Sequence, residues 1–537
     1  MEEVRSDEPL TATADVTHRP YYDDVFKHIR SFGPMQRLVF SFIFFLVLMM
    51  AMQYGLLVFA MGTPRFYCAD VNSTCPEDNV CCANCTTYAY EEGQFTSTVT
   101  EWKLLCDRAY LAATIQSCYF AGMFFGSITG GWLSDNFGRK PTIFIGIQVM
   151  ALVSLASSFS DAISLLSLLR FIIGFFQMVL NVTYFVYAIE ILGPKYRTLG
   201  GQLVTVGFIL GSILTAFIAY FIRDWRMLII VCSVPGLAFI LTWRVFPASP
   251  RWLIAHNRLE EAHSILVKFG SKDSKPIDEQ ALRELIEEVR RDQLERHKMD
   301  DKRYTMVDLV RTPKLRKRSF ILFYTWVVIA IVHFGFYLYV TSLTGNLYVN
   351  FTMMNVISIP KAFAFVVIMK TFGRRLPYSV CMLVTSLFCF LILAIPKEYP
   401  LAVTVLAMLG KSLMSVQFEN AFLYCTELYP TVVRSNAFGC GTMLSRLGGM
   451  LTPYIAMLGQ LPNYGVYVPA TIFGVLTLVG AIMSLWLPET LLAKLFQTVE
   501  EAEAAQEDFS VICWGHQKRR KREAEDLGDD YIKDTEI

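Results

Sequence analysis

The sequence predicts an all-α membrane protein with twelve transmembrane helices in two pseudo-symmetric six-helix bundles. Three observations lead to this prediction: a charge-poor composition, twelve long apolar runs, and a charged motif that occurs twice. Of the 537 residues, 54% are hydrophobic and 18% are charged, whereas a typical soluble protein carries about 25% charged residues. The net charge of +1 gives no basic excess for binding nucleic acid. We therefore expect a membrane protein without a nucleic-acid partner.

The apolar runs are each long enough for a membrane helix, because roughly 20 residues cross about 30 Å of hydrocarbon. They lie at approximately 37–60, 110–132, 141–160, 163–187, 199–221, 226–246, 320–341, 347–369, 376–395, 400–425, 435–458 and 465–487. The first ten residues are acidic and polar, so we expect no cleaved signal peptide before the first run.

The runs divide the chain into five predicted parts. A cytosolic N-terminal segment (1–36) precedes the first bundle (37–246), which contains a cysteine-rich extracellular loop (61–109). A cytosolic helical linker (247–319) follows, in which acids and bases alternate around leucines at helical spacing. The second bundle (320–487) precedes a charged cytosolic tail (488–537).

A short charged motif recurs in the two predicted bundles. Residues 137–140 read Phe-Gly-Arg-Lys and residues 372–375 read Phe-Gly-Arg-Arg, and a tyrosine, a glutamate and an arginine also recur at matching spacing. Duplicated apolar halves of this kind are typical of membrane transporters. We expect these residues to form a charge clasp that breaks and reforms as the halves rock. The predicted clasp comprises Asp135, Arg139, Lys140, Glu190 and Arg197 in the first half, and Gly373, Arg374, Arg375, Glu427 and Arg434 in the second.

Lysine and arginine predict the orientation in the membrane. They gather on the side of the clasp motifs, so the positive-inside rule makes that side cytosolic, together with both termini. The loop at 61–109 then lies outside the cell, as expected in a plasma-membrane protein. We predict up to three disulfides in it, with 15 possible pairings, and glycosylation at Asn72 and Asn84. Its cysteines are Cys68, Cys75, Cys81, Cys82, Cys85 and Cys106.

Several motifs resemble known families. The loop 131–140 resembles the signature of the major facilitator superfamily, and narrower motifs resemble solute carrier family 22, the organic-ion transporters. These are Thr98–Trp102 before Cys106, Ser249–Leu253, Thr344–Tyr348, Glu427–Thr431 and Leu487–Thr490. The resemblance covers about residues 20–490 and implies the major facilitator fold, alternating access and small charged organic substrates. Sugar porters share some of these motifs, but not the cysteine-rich loop that ends in Thr-Glu-Trp.

Ionisable residues inside membrane spans are costly and usually functional. Four candidates, all from the second half, are Lys361, His333, Glu419 and Arg446. By resemblance, Arg446 occupies a position that is arginine in anion and carnitine carriers and aspartate in typical cation carriers. A guanidinium can hold a carboxylate through two hydrogen bonds; alternatively, Arg446 is a structural partner of Glu419. The two bases, Arg446 and Lys361, outnumber the single acid Glu419, so the cavity favours anionic substrates first and zwitterions next. Glu419, in contrast, would suit a cationic substrate.

Aromatic side chains complete the predicted substrate site. By resemblance, Trp326, Phe334 and Phe418 match aromatic cavity positions, and Tyr337 is near them. Aromatic rings give contact area and cation–π attraction without demanding one substrate shape. By resemblance, His333 occupies a position that is commonly a tyrosine in the family. It either makes transport depend on pH or serves only in side-chain packing.

These observations predict a polyspecific secondary transporter of small organic ions, with organic anions or zwitterions favoured. The alternative is an organic cation or carnitine-like carrier that uses Glu419, and a more remote one is a surface protein that binds ligands without transport. No phosphate-binding loop, zinc-ligand spacing or nucleophile elbow occurs, so we expect no enzyme, no cofactor and no metal. We expect a monomer in contact with membrane lipid, with Thr535-Glu536-Ile537 as a candidate ligand for a PDZ scaffold.

Overall fold

The structure is a computed structural model that describes residues 21–70, 79–82, 85, 87–91, 93–270, 278–299, 305–396, 398–461, 467–491, 496–505 and 509. Four predictions lie outside these residues. They are the glycosylation sites Asn72 and Asn84, the pairing of Cys75, and the PDZ ligand at 535–537.

The described chain is almost entirely helical, as the composition predicts. The first half contains α1 (Val25–His28), α2 (Pro34–Phe59), α3 (Thr98–Trp102), α4 (Ala109–Phe137), α5 (Arg139–Ser157), α6 (Ile163–Ile191), α7 (Pro194–Phe221) and α8 (Trp225–Ala238). The linker region contains α9 (Pro250–Ala255), α10 (Leu259–Gly270), α11 (Glu279–Met299) and α12 (Asp308–Arg311). The second half contains α13 (Pro313–Tyr339), α14 (Leu347–Val356), α15 (Ser358–Phe372), α16 (Arg375–Ala394), α17 (Pro400–Leu428), α18 (Thr431–Met457) and α19 (Tyr467–Ser484), followed by α20 (Val499–Ala504).

Helices occupy all twelve predicted apolar runs. Ten of the described helices are long and apolar enough to cross a membrane. The other two runs are α14 with α15, which are separated at Ile357, and α18, whose 27 residues include Arg434 and Arg446. The boundaries differ modestly from the prediction: α13 begins at Pro313, seven residues before the predicted start of the second bundle, and α6 continues to Ile191.

Close packing holds the helices of each bundle together. A Cβ atom on Gly122 of α4 would lie 1.9 Å from the carbonyl oxygen of Phe171 in α6, and one on Gly174 of α6 would lie 2.0 Å from that of Tyr119. Small residues allow helix backbones to approach this closely inside a membrane, where the hydrophobic effect gives no drive for association. The helix pairs with the most extensive contact are α4 with α6, α13 with α18 and α16 with α19.

The loop after α2 is a small, covalently closed unit. Strands β1 (Phe66–Cys68) and β2 (Tyr88–Tyr90) pair in antiparallel fashion, with Phe66 opposite Tyr90. Disulfides join Cys68 to Cys85 and Cys81 to Cys106, and Cys82 is also disulfide-bonded. The membrane side with this unit is called the loop side below, and the side with Arg139 and Arg374 is called the clasp side.

Candidate functional site

The first-half clasp is centred on Glu190, at the clasp-side end of α6. Arg139 donates from Nε to Glu190 Oε2 (3.2 Å) and from an Nη atom to Oε1 (3.0 Å), and Ser249 Oγ donates to Oε2 (2.6 Å). Asp135 adds a second carboxylate, 2.9 Å from Arg139. Tyr187, one turn before Glu190, donates to the carbonyl oxygen of Pro247 (2.9 Å). The clasp therefore connects α4, α5, α6 and the start of the linker.

The second-half clasp repeats this arrangement around Glu427. Arg374 donates to both carboxylate oxygens of Glu427 (2.9 and 2.8 Å), and Thr490 Oγ1 donates to Oε2 (2.6 Å). Tyr424 donates to the carbonyl oxygen of Pro488. Ser249 and Thr490 thus have the same role, and so do the two prolines.

Arg197 and Arg434 each lie seven residues after their clasp glutamate and are called the outer arginines below; their partners differ. Arg197 forms two hydrogen bonds with Asp23 of the N-terminal segment, at 2.9 and 2.6 Å, and not with Glu190. Its counterpart Arg434 donates to the carbonyl oxygen of Tyr429 (3.4 Å), and one Nη atom is buried without a partner. Lys140 lies 4.5 Å from the ring centre of Trp243, whereas Arg375 donates to the carbonyl oxygen of Leu485 (2.6 Å). Neither Lys140 nor Arg375 contacts a clasp glutamate.

Several hydrogen bonds and a ring contact join the two halves toward the loop side. Ser117 of α4 donates to the carbonyl oxygen of Met450 (2.7 Å), and Arg65 donates to that of Leu343 (3.2 Å). Phe59 stacks on Tyr348 with ring centres 5.6 Å apart. The clasp hydrogen bonds described above each join elements of one half or of the segment that adjoins it. The structure is therefore closed on the loop side.

Glu419 of α17 and Lys361 of α15 are paired with each other. Lys361 Nζ lies 3.3 Å from Glu419 Oε1 and also donates to Ser415. The carboxylate that the sequence offers to a cation, or to Arg446, is thus occupied by a lysine from the neighbouring helix. A cationic substrate at Glu419 has to displace Lys361.

Arg446 of α18 has a different environment. Its side chain is buried, Nε has no hydrogen-bond partner, and no carboxylate in the described chain pairs with it. One turn further along α18, Gly449 packs against Phe120 of α4, and the Met450 carbonyl accepts a hydrogen bond from Ser117 of the same helix. Arg446 therefore lies where both bundles meet and is free of an acidic partner.

Three of the predicted aromatic residues, Trp326, Phe334 and Phe418, form one cluster with His333. Trp326 lies 6.1 Å from Phe418 between ring centres, and His333 lies 5.7 Å from Phe418 and 5.3 Å from Phe334. Tyr337 belongs to a different ring group, since it contacts Phe351 (5.3 Å between ring centres), which in turn contacts Phe59. Buried polar atoms without a partner are found on four of the eight predicted residues: Trp326 Nε1, His333 Nδ1, Tyr337 Oη and Arg446 Nε. Because nearly all buried polar groups in proteins are hydrogen-bonded, these unpartnered atoms make this region the candidate site for a polar ligand.

Sequence reasoning missed several members of this region. Phe422 and Phe438 extend the cluster, at 4.9 and 6.3 Å from Trp326. Lys411 of α17 is buried and donates to the carbonyl oxygen of Met354 (3.4 Å). Arg170 of α6 is fully buried, so membrane-depth charge is not confined to the second half. A search for every lysine and arginine inside the apolar runs would have found both basic residues.

A cavity of about 240 Å³ lies elsewhere, between the halves on the loop side. Its lining includes Thr63, Gln116, Tyr339 and Gln460 but none of the eight predicted substrate residues. It lies at the closed seam and contains no charged lining residue, so we place the candidate substrate site at Arg446 and the aromatic cluster instead.

Comparisons with known proteins identify the family. The sequence profile of the "Sugar (and other) transporter" family matches residues 45–502. Human solute carrier family 22 member 13 is 30% identical over 78% of this chain and 73% of its own length. The chain belongs to solute carrier family 22 of the major facilitator superfamily. It is a multi-pass membrane transporter and not an enzyme, as the motifs predict.

Other similar proteins agree with this membership. The organic cation transporter protein of Drosophila melanogaster is 29% identical over 90% of this chain and 94% of its own length. Human organic cation/carnitine transporter 2 is 32% identical over 77% of this chain and 73% of its own length. The inward-open xylose transporter XylE from E. coli matches 87% of this chain and 97% of its own with a TM-score of 0.61 at 16% identity. This structural likeness confirms the predicted major facilitator fold.

Proposed function

We propose that this solute carrier family 22 transporter prefers carnitine-like zwitterions, which carry a quaternary ammonium and a carboxylate. The observation that carries the proposal is the set of unpartnered buried polar atoms at Arg446, His333, Trp326 and Tyr337. The family's relatives include proteins named as organic cation and organic cation/carnitine transporters. These names favour the second hypothesis from the sequence over a general preference for anions.

The two substrate charges have separate partners in this proposal. Arg446 holds the carboxylate, since a guanidinium can donate two parallel hydrogen bonds to it. The ammonium lies against the rings of Trp326, Phe418 and Phe422, where cation–π attraction acts without requiring a hydrogen bond. Glu419 supplies the countercharge when its pairing with Lys361 is exchanged for pairing with the substrate.

Transport proceeds by alternating access in this account. The bundles contact each other on the loop side in the present structure, so the substrate site exchanges with the clasp side. The opposite state requires the loop-side contacts to open while the halves approach each other beside the clasps. We assign the clasp side to the cytosol from its lysine and arginine excess, and the membrane to the plasma membrane.

A second candidate is a carrier of simple organic cations that uses Glu419 alone. It is favoured by the names of the relatives and by the aromatic cluster, but it leaves Arg446 as an uncompensated positive charge beside a cation. An organic-anion carrier uses Arg446 but leaves the aromatic cluster without its cationic ligand.

Uptake by purified protein in liposomes separates these candidates. Labelled carnitine, tetraethylammonium and para-aminohippurate are supplied at equal concentrations, and liposomes without protein give the background. The proposal expects carnitine to enter fastest. Uptake of tetraethylammonium alone supports the cation carrier, and uptake of para-aminohippurate alone supports the anion carrier. Binding of any of the three, seen as a rise in melting temperature without uptake, supports the non-transporting surface protein.

A further inference from the structure

Phe120 of α4 reaches across the boundary between the two halves at the depth of the aromatic cluster. Its side chain is 0% exposed, and its ring centre lies 4.8 Å from that of Phe334 in α13, at an interplanar angle of 59°. Phe334 is one of the predicted substrate residues, and its ring also contacts His333. Phe120 is therefore a first-half residue that packs directly against the candidate substrate site in the second half.

Gly449 of α18 leaves the room that the Phe120 ring occupies. A Cβ atom on Gly449 would lie 2.6 Å from Cδ1 of that ring, whereas non-bonded carbon atoms prefer a separation of about 3.5–4.0 Å. Ser117, three residues before Phe120, donates to the carbonyl oxygen of Met450 (2.7 Å), the residue after Gly449. Helices α4 and α18 are therefore in direct contact at this level. Phe120, Phe334 and Gly449 are called the packed trio below.

The cavity on the loop side begins one helical turn beyond the packed trio. Its lining includes Gln116, Leu338 and Pro453, and each of these residues lies four positions toward the loop side from the trio member of its own helix. Four residues of an α-helix span about 6 Å. The packed trio therefore lies at the inner end of the cavity on all three helices.

The candidate substrate site begins on the other side of the packed trio. Arg446 lies three residues from Gly449 toward the clasp side of α18, which is about 4.5 Å along the helix axis. His333 directly precedes Phe334, and the two rings lie 5.3 Å apart. Close-packed side chains leave few voids larger than a water molecule, and an apolar constriction resists the passage of hydrated ions. The packed trio thus separates the cavity from the substrate site.

We propose that Phe120 is the positioning residue that closes the substrate site toward the loop side. With its ring on Gly449 and against Phe334, a solute in the cavity does not reach Arg446. The opposite state of the transport cycle requires α4 to move away from α13 and α18, which withdraws the ring and joins the cavity to the substrate site. The inference rests on the proposed position of the substrate site and is independent of which organic ion is transported.

Labelling of an added cysteine on intact cells, with a membrane-impermeant maleimide, tests this inference. The reagent enters from the loop side, which faces outward in the proposed orientation. Thr442→Cys places a thiol one turn beyond Arg446, on the clasp side of the packed trio, and Ser342→Cys places one in the cavity lining. In Phe120→Ala, we expect labelling of Thr442→Cys to accelerate about tenfold, as for the loss of an aromatic contact, and labelling of Ser342→Cys to stay unchanged. The same variants without an added cysteine give the background from native thiols such as Cys118.

Gly449→Ala disturbs the same contact from the opposite helix, because its Cβ takes space that the ring occupies. It accelerates labelling of Thr442→Cys when Phe120 is present, and adds nothing in Phe120→Ala, where the clash is absent. Gly439→Ala on the same helix is the matched control, since a Cβ there meets nothing within 4 Å, and it leaves the labelling rate unchanged. Phe120→Leu keeps a bulky apolar side chain and stays close to the wild type.

The proposal is overturned if Thr442→Cys is labelled at the wild-type rate in both Phe120→Ala and Gly449→Ala. An equal acceleration at Thr442→Cys and Ser342→Cys overturns it as well, because it indicates general loosening of the helices. If Phe120→Ala does not reach the cell surface, Gly449→Ala alone decides the question. No transported substrate enters these measurements, so their outcome is separate from that of the uptake experiment.

Discussion

The two halves are alike at the clasps and different in the membrane interior. Glu190 and Glu427 each accept hydrogen bonds from an arginine and from a side-chain hydroxyl. Tyr187 and Tyr424 each donate a hydrogen bond to a proline carbonyl oxygen. Of the acidic, basic and histidine residues that the structure describes in the membrane interior, the first half contributes Arg170, whereas the second contributes Glu419, Lys361, Lys411, His333 and Arg446. We infer that the clasps, which both halves share, serve the rocking motion. The interior residues, which the halves do not share, are our candidates for contact with the substrate.

The clasps also differ in the neighbouring segment that supports each of them. In the second half, Glu489 accepts hydrogen bonds from the backbone N–H groups of Arg374 and Arg375 (2.9 and 3.1 Å), which cap the start of α16. In the first half, the N-terminal segment contributes Asp23 to Arg197 instead. Each half is therefore stabilised by a part of the chain that follows or precedes its bundle.

The largest expected effect concerns the clasp glycines. Gly138 (φ 93°, ψ 156°) and Gly373 (φ 79°, ψ −164°) have a backbone conformation that is essentially restricted to glycine. Gly373→Ala also brings Cβ within 2.4 Å of Glu489 Oε2, whereas Gly138→Ala meets the Trp252 ring at 3.3 Å. We expect the free energy of unfolding to fall by about 4 kcal/mol for Gly373→Ala and by about 2 kcal/mol for Gly138→Ala, measured by thermal unfolding of the purified variants. Equal losses would contradict the role given to Glu489.

The next effect concerns the clasp glutamates. Glu190→Gln leaves the nearly buried Arg139 with Asp135 as its carboxylate partner; that side chain is 69% exposed and contributes less than about 1 kcal/mol. Glu190 is 6% exposed and Glu427 is 19% exposed, so we expect losses of about 3 and about 2 kcal/mol. Melting temperatures test this order, with Asp135→Asn as the weak control. A loss for Asp135→Asn as large as that for Glu190→Gln would show that the exposed acid carries the clasp.

The smallest effect concerns the outer arginines. Arg197→Gln breaks a partly exposed, doubly hydrogen-bonded pair with Asp23, so we expect a loss of about 1 kcal/mol. Arg434→Gln removes no ion pair with a described acid and is expected to leave the melting temperature nearly unchanged. A large loss for Arg434→Gln would mean that the two outer arginines are equivalent after all.

The sequence predicts the fold and the duplicated motifs because both are repeated patterns in one chain. The twelve apolar runs and the resemblance to solute carrier family 22 suffice for the twelve-helix fold. Ser249 and Thr490 could also have been assigned, since each lies two residues after a proline and at a similar separation, 59 and 63 residues, from its clasp glutamate.

The interior could be predicted only in part. The pairing of Lys361 with Glu419 depends on how α15 packs against α17, and residues 58 positions apart carry no sequence signal for it. Arg197 and Arg434 have equal spacing from their glutamates, yet only Arg197 has Asp23 available from the N-terminal segment. Tertiary contacts of this kind decide which member of a repeated pattern is paired.

Uptake of carnitine and choline by liposomes containing the Arg446→Gln variant tests the central claim most directly, because choline keeps the quaternary ammonium and lacks the carboxylate. The account predicts that Arg446→Gln lowers carnitine uptake about 100-fold, as expected for losing a charged, doubly hydrogen-bonded contact, and leaves choline uptake unchanged. Glu419→Gln lowers the uptake of both. Carnitine uptake that is unchanged in Arg446→Gln, or that falls together with choline uptake, would contradict the assignment of the carboxylate to Arg446.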